Sequence, residues 1–241
     1  MATTLTIHQR ALRSTVVKKV IMAVSGLIMI VFLLVHMYGN LKMFVSPEAY
    51  DHYAHWLKGL AENGIDHEGG IMYPLMPAGQ FIIVFRAVML VAVGAHVWAA
   101  ATLSRQTIAN RGDKYVNYKR QASTYSVRTM RWGGVIVLAF IIFHLLQFTI
   151  IPAQFGETDP AKPSVMVHYA FEQWWMVLIY AICMVLICMH VRHGFFSAFN
   201  TLGGNTSPNA RKVLNVLGII VAVALFVGFM SMPIAILIGV I

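Results

Sequence analysis

The sequence predicts an all-α fold, a single membrane domain of five transmembrane helices spanning residues 1–241, and three observations predict it. Hydrophobic residues make up 59% of the chain and charged residues only 11%, against roughly 25% charged in soluble domains. Five apolar runs come near or exceed the ~20 residues a helix needs to cross a bilayer. The connections between them alternate between basic and acidic.

The first predicted span covers 20–44. It follows a polar stretch, is long, and has no small-residue site behind it, so it reads as a retained helix rather than a cleaved signal. The second span covers 79–104, after Pro74 and Pro77. The third covers 131–152 and ends at Ile151-Pro152, because proline disfavours helix at the residue before it. The fourth covers 173–197 and the fifth 212–240, with Pro233 placed to bend the last turns. The 45–78 connection is long for a bundle loop. Within it, 47–57 patterns as a short amphipathic surface helix carrying interface-seeking aromatic residues. The basic 105–130 connection reads as a helix or arm.

A net charge of +9 invites a nucleic-acid reading, but in a membrane chain its distribution sets topology. Arg10, Arg13, Lys18 and Lys19 precede span one, seven Lys or Arg lie within 105–131, and Arg211 and Lys212 precede span five. Eight of the nine acids fall in the other two connections. This bias predicts a multi-pass protein of a bacterial cytoplasmic membrane, with its N-terminus cytoplasmic and its C-terminus outside. Cys183 and Cys188 are the only cysteines. Five positions apart on one helix, they point to different sides and cannot form a disulfide. Two thiols also fall short of an iron–sulfur ligand set, so they read as small apolar residues.

His36, His96, His144 and His190 fall one on each of the first four spans, with none on the fifth. Ionisable residues inside a bilayer are rare and usually functional, and no acid lies at these depths to pair with them. With ~1.5 Å rise per residue, His36 lies roughly 25 Å beyond Lys19 and His144 about 20 Å beyond Arg131, both in the outer half. His96 lies about 13 Å before Arg105 and His190 roughly 15 Å before Asn200, both in the inner half. The four sort into an outer pair, His36 with His144, and an inner pair, His96 with His190.

One such histidine alone reads as a hydrogen-bonded core residue; four at two matched depths read as two bis-imidazole centres. Helices in direct contact, with axes ~8–10 Å apart, leave no room for a macrocycle, whereas opposed helices of a bundle do. Gly39, Gly94, Gly133, Gly134 and Gly194 would supply space. Haem b, two copies, is the expected cofactor, its iron held by the four histidines; zinc would want four ligands in one place. His193, one turn after His190, competes with it as ligand or would bond a haem propionate. Arg86 reads either as snorkelling to the outer interface or as pairing with an outer propionate, and Arg192 as an inner propionate contact. His8, His52, His55, His67 and His168 read as solvated or interfacial, with a proton-handling or quinone-edge role open to His52 or His55.

Three segments carry a family resemblance: Val35-His36-Met37-Tyr38-Gly39-Asn40-Leu41, Phe143-His144-Leu145-Leu146-Gln147-Phe148, and the run from His190-Val191-Arg192-His193-Gly194 to Gly203. Over essentially its whole length the chain resembles the single-chain, di-haem cytochrome b membrane-anchor subunit of succinate:quinone oxidoreductase and fumarate reductase. The resemblance implies that His96 and His190 hold the haem nearer an iron–sulfur subunit and that His36 and His144 hold the distal one. It implies a flavoprotein partner where succinate is oxidised, a cluster-bearing iron–sulfur partner, and electron transfer through both haems to bound menaquinone in the respiratory chain and tricarboxylic acid cycle. Asn40, Lys42, Gln80 and Gln147, at the outer depth, are the quinone candidates. Some fumarate-reducing relatives carry Glu two residues before the fourth-helix ligand; Cys188 stands here, which favours succinate oxidation.

Two alternatives stand beside this reading. One is the quinone-reactive cytochrome b of another membrane dehydrogenase, or the same complex run as a fumarate reductase. The other is a proton-coupled transporter, which would call for intramembrane acids or broken helices; no Asp or Glu lies well inside a span.

Overall fold

Five helices long and apolar enough to cross a membrane run through the structure, a computed structural model that describes residues 14–59, 70–110, 125–156, 158–159 and 162–241, with the backbone alone for 125–129. They are α1 (Thr15–Leu41), α3 (Gln80–Ala109), α4 (Tyr125–Leu145), α6 (Trp174–Thr201) and α7 (Pro208–Leu237). Two short helices, α2 (Pro47–Lys58) and α5 (Pro163–Phe171), lie in the first and third connections between the long helices, that is between α1 and α3 and between α4 and α6. Among the described residues there is no strand. His8, Arg10, Arg13, His67 and most of the basic 105–130 connection lie outside the described residues.

Several helices extend past the expected spans. α1 begins at Thr15 rather than 20, α3 runs to Ala109, α6 to Thr201, and α7 begins at Pro208. An apolar window measures the hydrocarbon, about 30 Å thick, whereas a 30-residue helix such as α3 is about 45 Å long. The extra turns carry Lys18, Lys19, Arg105 and Arg211, with Lys212 next in line, and all of them lie at one end of the bundle, here called the basic end. Ser207 starts α7 by accepting the Ala210 N–H at 3.1 Å, with Pro208 in the first turn, where the missing proline N–H is no loss. Pro233 lies inside α7, which continues to Leu237.

The third span departs most from a plain helix. α4 stops at Leu145, and Leu146–Ile150 forms one wide π-helical turn, followed by a 3₁₀ turn at Pro152–Gln154. Pro152 can neither donate a backbone bond nor let Ile151 stay helical. Wide turns of this kind recur at functional sites, and this one follows directly on His144.

The main packing interfaces are α6/α7, α1/α3, α1/α6, α4/α6 and α1/α7. Four helices therefore pack in the order α3, α1, α6, α4, open between α3 and α4, and the diagonals α1/α4 and α3/α6 are not main interfaces either. α7 packs across α1 and α6. Between helices in lipid the hydrophobic effect vanishes, and close packing of small residues takes its place. Buried Ala23 of α1 and Ala92 and Ala99 of α3 are such residues, Ala99 being fully buried. At Gly228 of α7 an added Cβ would collide with the Met37 side chain of α1, so this close approach depends on glycine.

α2 forms where expected. Ser46 accepts the Ala49 N–H at 3.1 Å and Pro47 occupies the first turn; Gly59, in the left-handed region at φ 63°, ends the helix. Burial pushes the Tyr50 hydroxyl up to about 12, with the Asp51 charge adding to it. α5 lies in the acidic connection between the third and fourth spans. Its N-terminus is capped from another helix: Asp51 of α2 accepts the Ser164 N–H and the Ser164 hydroxyl, each at 2.7 Å. A carboxylate at a helix N-terminus is favourable twice over, as acceptor and as charge. Asp51→Ala is expected to cost about 0.5–2 kcal/mol and to raise amide hydrogen exchange in α5 while leaving α6 protected.

Candidate functional site

The four intramembrane histidines meet in two pairs. The His36 and His144 rings lie with centroids 5.9 Å apart, and those of His96 and His190 lie 6.2 Å apart. Each pair bridges one diagonal of the four-helix group, α1 to α4 and α3 to α6. Two imidazoles on opposite sides of one metal, each ~2 Å from it, put their ring centroids roughly 6 Å apart. The ring planes stand at 79° and 61° to one another, arrangements that two imidazoles holding one metal could adopt.

The two pairs occupy different levels. A Cβ added to Gly26 of α1 would sit 3.3 Å from the His96 ring, and one added to Gly134 of α4 would sit 3.6 Å from the His190 ring. His36 lies ten positions beyond Gly26, and His144 ten positions beyond Gly134. Ten residues rise about 15 Å, which is the separation of the two levels. The His96/His190 pair is the one nearer the basic end.

Hydrogen bonds decide which ring nitrogen is free. His96 Nδ1 lies 3.0 Å from the Met22 carbonyl, which can only accept, so Nδ1 carries the proton and Nε2 keeps its lone pair. Ser25 Oγ stands 3.3 Å from the same nitrogen while donating its own hydrogen to Ile21 O at 2.7 Å. On the other pair, His144 Nδ1 lies 3.1 Å from the Tyr180 hydroxyl. That hydroxyl donates to Gln147 Oε1 at 2.7 Å, so its oxygen accepts from His144 and Nε2 is again free. The His36 ring stacks on Phe32 at 5.2 Å and leans on Phe229 at 5.7 Å. Phe140 and Phe148 flank His144, so the His36/His144 pair sits in an aromatic, water-poor box.

These residues fit a flat bis-imidazole macrocycle. His190 Nδ1 is buried without a hydrogen-bond partner, so no bond fixes its tautomer as Met22 and Tyr180 fix those of His96 and His144. Beside half-buried Gly133 and Gly194 an added Cβ would meet nothing within 4 Å, and Gly194 lies one turn from His190 on its face. Among the described residues no three His, Cys, Asp or Glu side chains gather as a ligand set; a tetrahedral zinc centre takes four ligands in one place, whereas these histidines meet two by two. Two of the five expected space-making glycines are otherwise engaged. The space beside Gly39 is taken by the Tyr53 ring, 2.8 Å from its would-be Cβ, and Gly94 faces outward, exposed.

The remaining candidates scatter. Arg86 is exposed, and its charge, after burial, helps lower the Lys58 ammonium on α2; it stands at the end of the bundle opposite the basic one. Arg192 is exposed and His193 half-buried. Gln80 is exposed and Asn40 half-buried. Lys42 holds its ammonium 4.9 Å from the Tyr38 ring centroid and lines a cavity of about 290 Å³ with Val45, Ala49, His52, Tyr53 and Trp56. Gln147 is only 2% exposed, turned inward to Tyr180 and to Met176 Sδ. Cys188 is buried and Cys183 half-buried, both free.

Sequence reasoning missed Tyr180, Met22, Ser25, Gly26 and Lys18, the last buried one turn before Met22. A signal was present: Gly26, Gly134 and Tyr180 each stand ten positions from a ligand candidate on the same helix, the offset that links the two levels. No family model matches the chain, and neither a curated protein nor a solved structure matches it.

Proposed function

We propose that the chain is the membrane-anchor cytochrome b of a succinate dehydrogenase, carrying electrons from an iron–sulfur subunit through two b haems to menaquinone. The observation that carries this reading is the pairing of four histidines across the two diagonals of the bundle at a separation suited to one metal between each pair. Haem b bound there supplies one-electron carriers. The residues do the rest: His96 and His144 present Nε2 because Met22 and Tyr180 occupy Nδ1, and the phenylalanines around His36 and His144 exclude water. Among the described residues, Lys18 and Arg192 near the basic end would be the cationic candidates for haem carboxylates, with His193 beside Arg192.

The positive-inside bias supports placing the basic end in the cytoplasm, where the flavoprotein and iron–sulfur partners would dock and the His96/His190 centre would receive electrons first. A haem held by His36 and His144 would be the one nearer quinone at the outer surface, where Asn40, Lys42 and Gln80 remain the candidates. Gln147 is better suited to holding Tyr180 than to meeting quinone, being enclosed.

Purification of the native complex tests the reading. A reduced-minus-oxidised spectrum is expected to show two b haems per chain, and succinate is expected to reduce both and then menaquinone. A well-folded chain with no b-type signal rejects the electron-carrier function. Two haems reduced by a different donor and not by succinate would instead identify the anchor of another dehydrogenase.

A further inference from the structure

The chain His144–Tyr180–Gln147–Met176 joins α4, its wide turn and α6 in one buried row of hydrogen bonds. Tyr180 packs against Phe140, Phe171 and the His144 ring, so the phenol has a fixed seat. The wide turn brings Gln147 inward to accept the phenol proton. A hydroxyl that donates one hydrogen bond becomes a better acceptor of another, by cooperative polarisation. The His144 Nδ1–H therefore meets a strengthened acceptor, and electron density is pushed toward Nε2. Across the bundle, His96 has a backbone carbonyl in the same role, which no side-chain substitution removes.

We propose that Tyr180, seated by Gln147, is a positioning residue for the outer centre: it fixes the His144 tautomer and makes that imidazole the stronger donor, which favours the oxidised metal and lowers the reduction potential of that centre alone. Such outer partners orient histidine ligands and raise their basicity. The inference rests on the proposed pair of haem centres.

The test is a potentiometric titration of the purified complex carrying Tyr180→Phe, a change that removes one oxygen and keeps the ring packing. The outer haem is expected to become easier to reduce by roughly tenfold in its equilibrium constant, about 59 mV for one electron, with the inner haem unmoved. Gln147→Leu is expected to shift the outer haem in the same direction by less, because the phenol still accepts. If Tyr180→Phe fails to load the outer centre, Gln147→Leu decides with the same signs. Two haems retained at unchanged or lowered outer potential overturn the inference. A merely structural role for the hydroxyl would broaden or deplete the haems without this directed shift. Absence of two haems from the unsubstituted complex would instead overturn the proposed function itself.

Discussion

His96→Ala or His190→Ala is expected to remove one b haem and leave the other with its native spectrum, and His36→Ala or His144→Ala to remove the complementary one. Loss of an outer hydrogen-bond partner alone typically costs 10–100-fold in metal affinity, so loss of one of only two protein ligands exceeds that. The pattern matters more than the size. His36 and His96 sit on neighbouring helices, α1 and α3, that share a main interface, yet they belong to different pairs. A model in which adjacent helices share a centre predicts the same haem lost from His36→Ala and His96→Ala; the diagonal pairing predicts opposite ones. His193→Ala is expected to keep both haems, since His190 is the residue facing His96. Haem content per folded chain, with helicity from circular dichroism as the control, gives the answer.

Much of this arrangement is legible before any coordinates, for a physical reason. The rise of a helix is constant, so distance from a charged helix end fixes the depth of His36, His96, His144 and His190, and depth alone sorts them into the observed pairs. Alternating charge likewise marks the ends of the helices. What escapes a linear reading is whatever depends on one helix meeting another. Tyr180 looks like one apolar residue among many until α6 packs on α4, and Gln147 reads as a surface candidate until the wide turn before Pro152 rotates it inward. α5 escapes because its cap, Asp51, lies 113 positions away from Ser164. Gly39 was read as room for a macrocycle, but the aromatic face of α2 folds back and fills that room with Tyr53.

Gly26→Leu is expected to abolish the inner haem while the outer one stays. On an interior helical position, replacing glycine gains roughly 0.5–1 kcal/mol in helix propensity, so the helix itself is not weakened. The new Cβ, however, lies 3.3 Å from His96 Cε1 and 3.6 Å from its Nδ1, and the further leucine carbons extend from there. Overpacking of this kind typically costs about 1–3 kcal/mol, more than the propensity gain, and the ring held by Met22 and Ser25 is what must yield. Displacing the His96 ring changes its 6.2 Å separation from the His190 ring. Gly94→Leu supplies the control: it lies two residues from His96, gains the same propensity, is exposed, and meets nothing within 4 Å. It is expected to keep both haems. Equal haem loss from the two substitutions would mean that the spans tolerate no added bulk near His96 on any face, and that the contact between Gly26 and the ring has no special part in holding it.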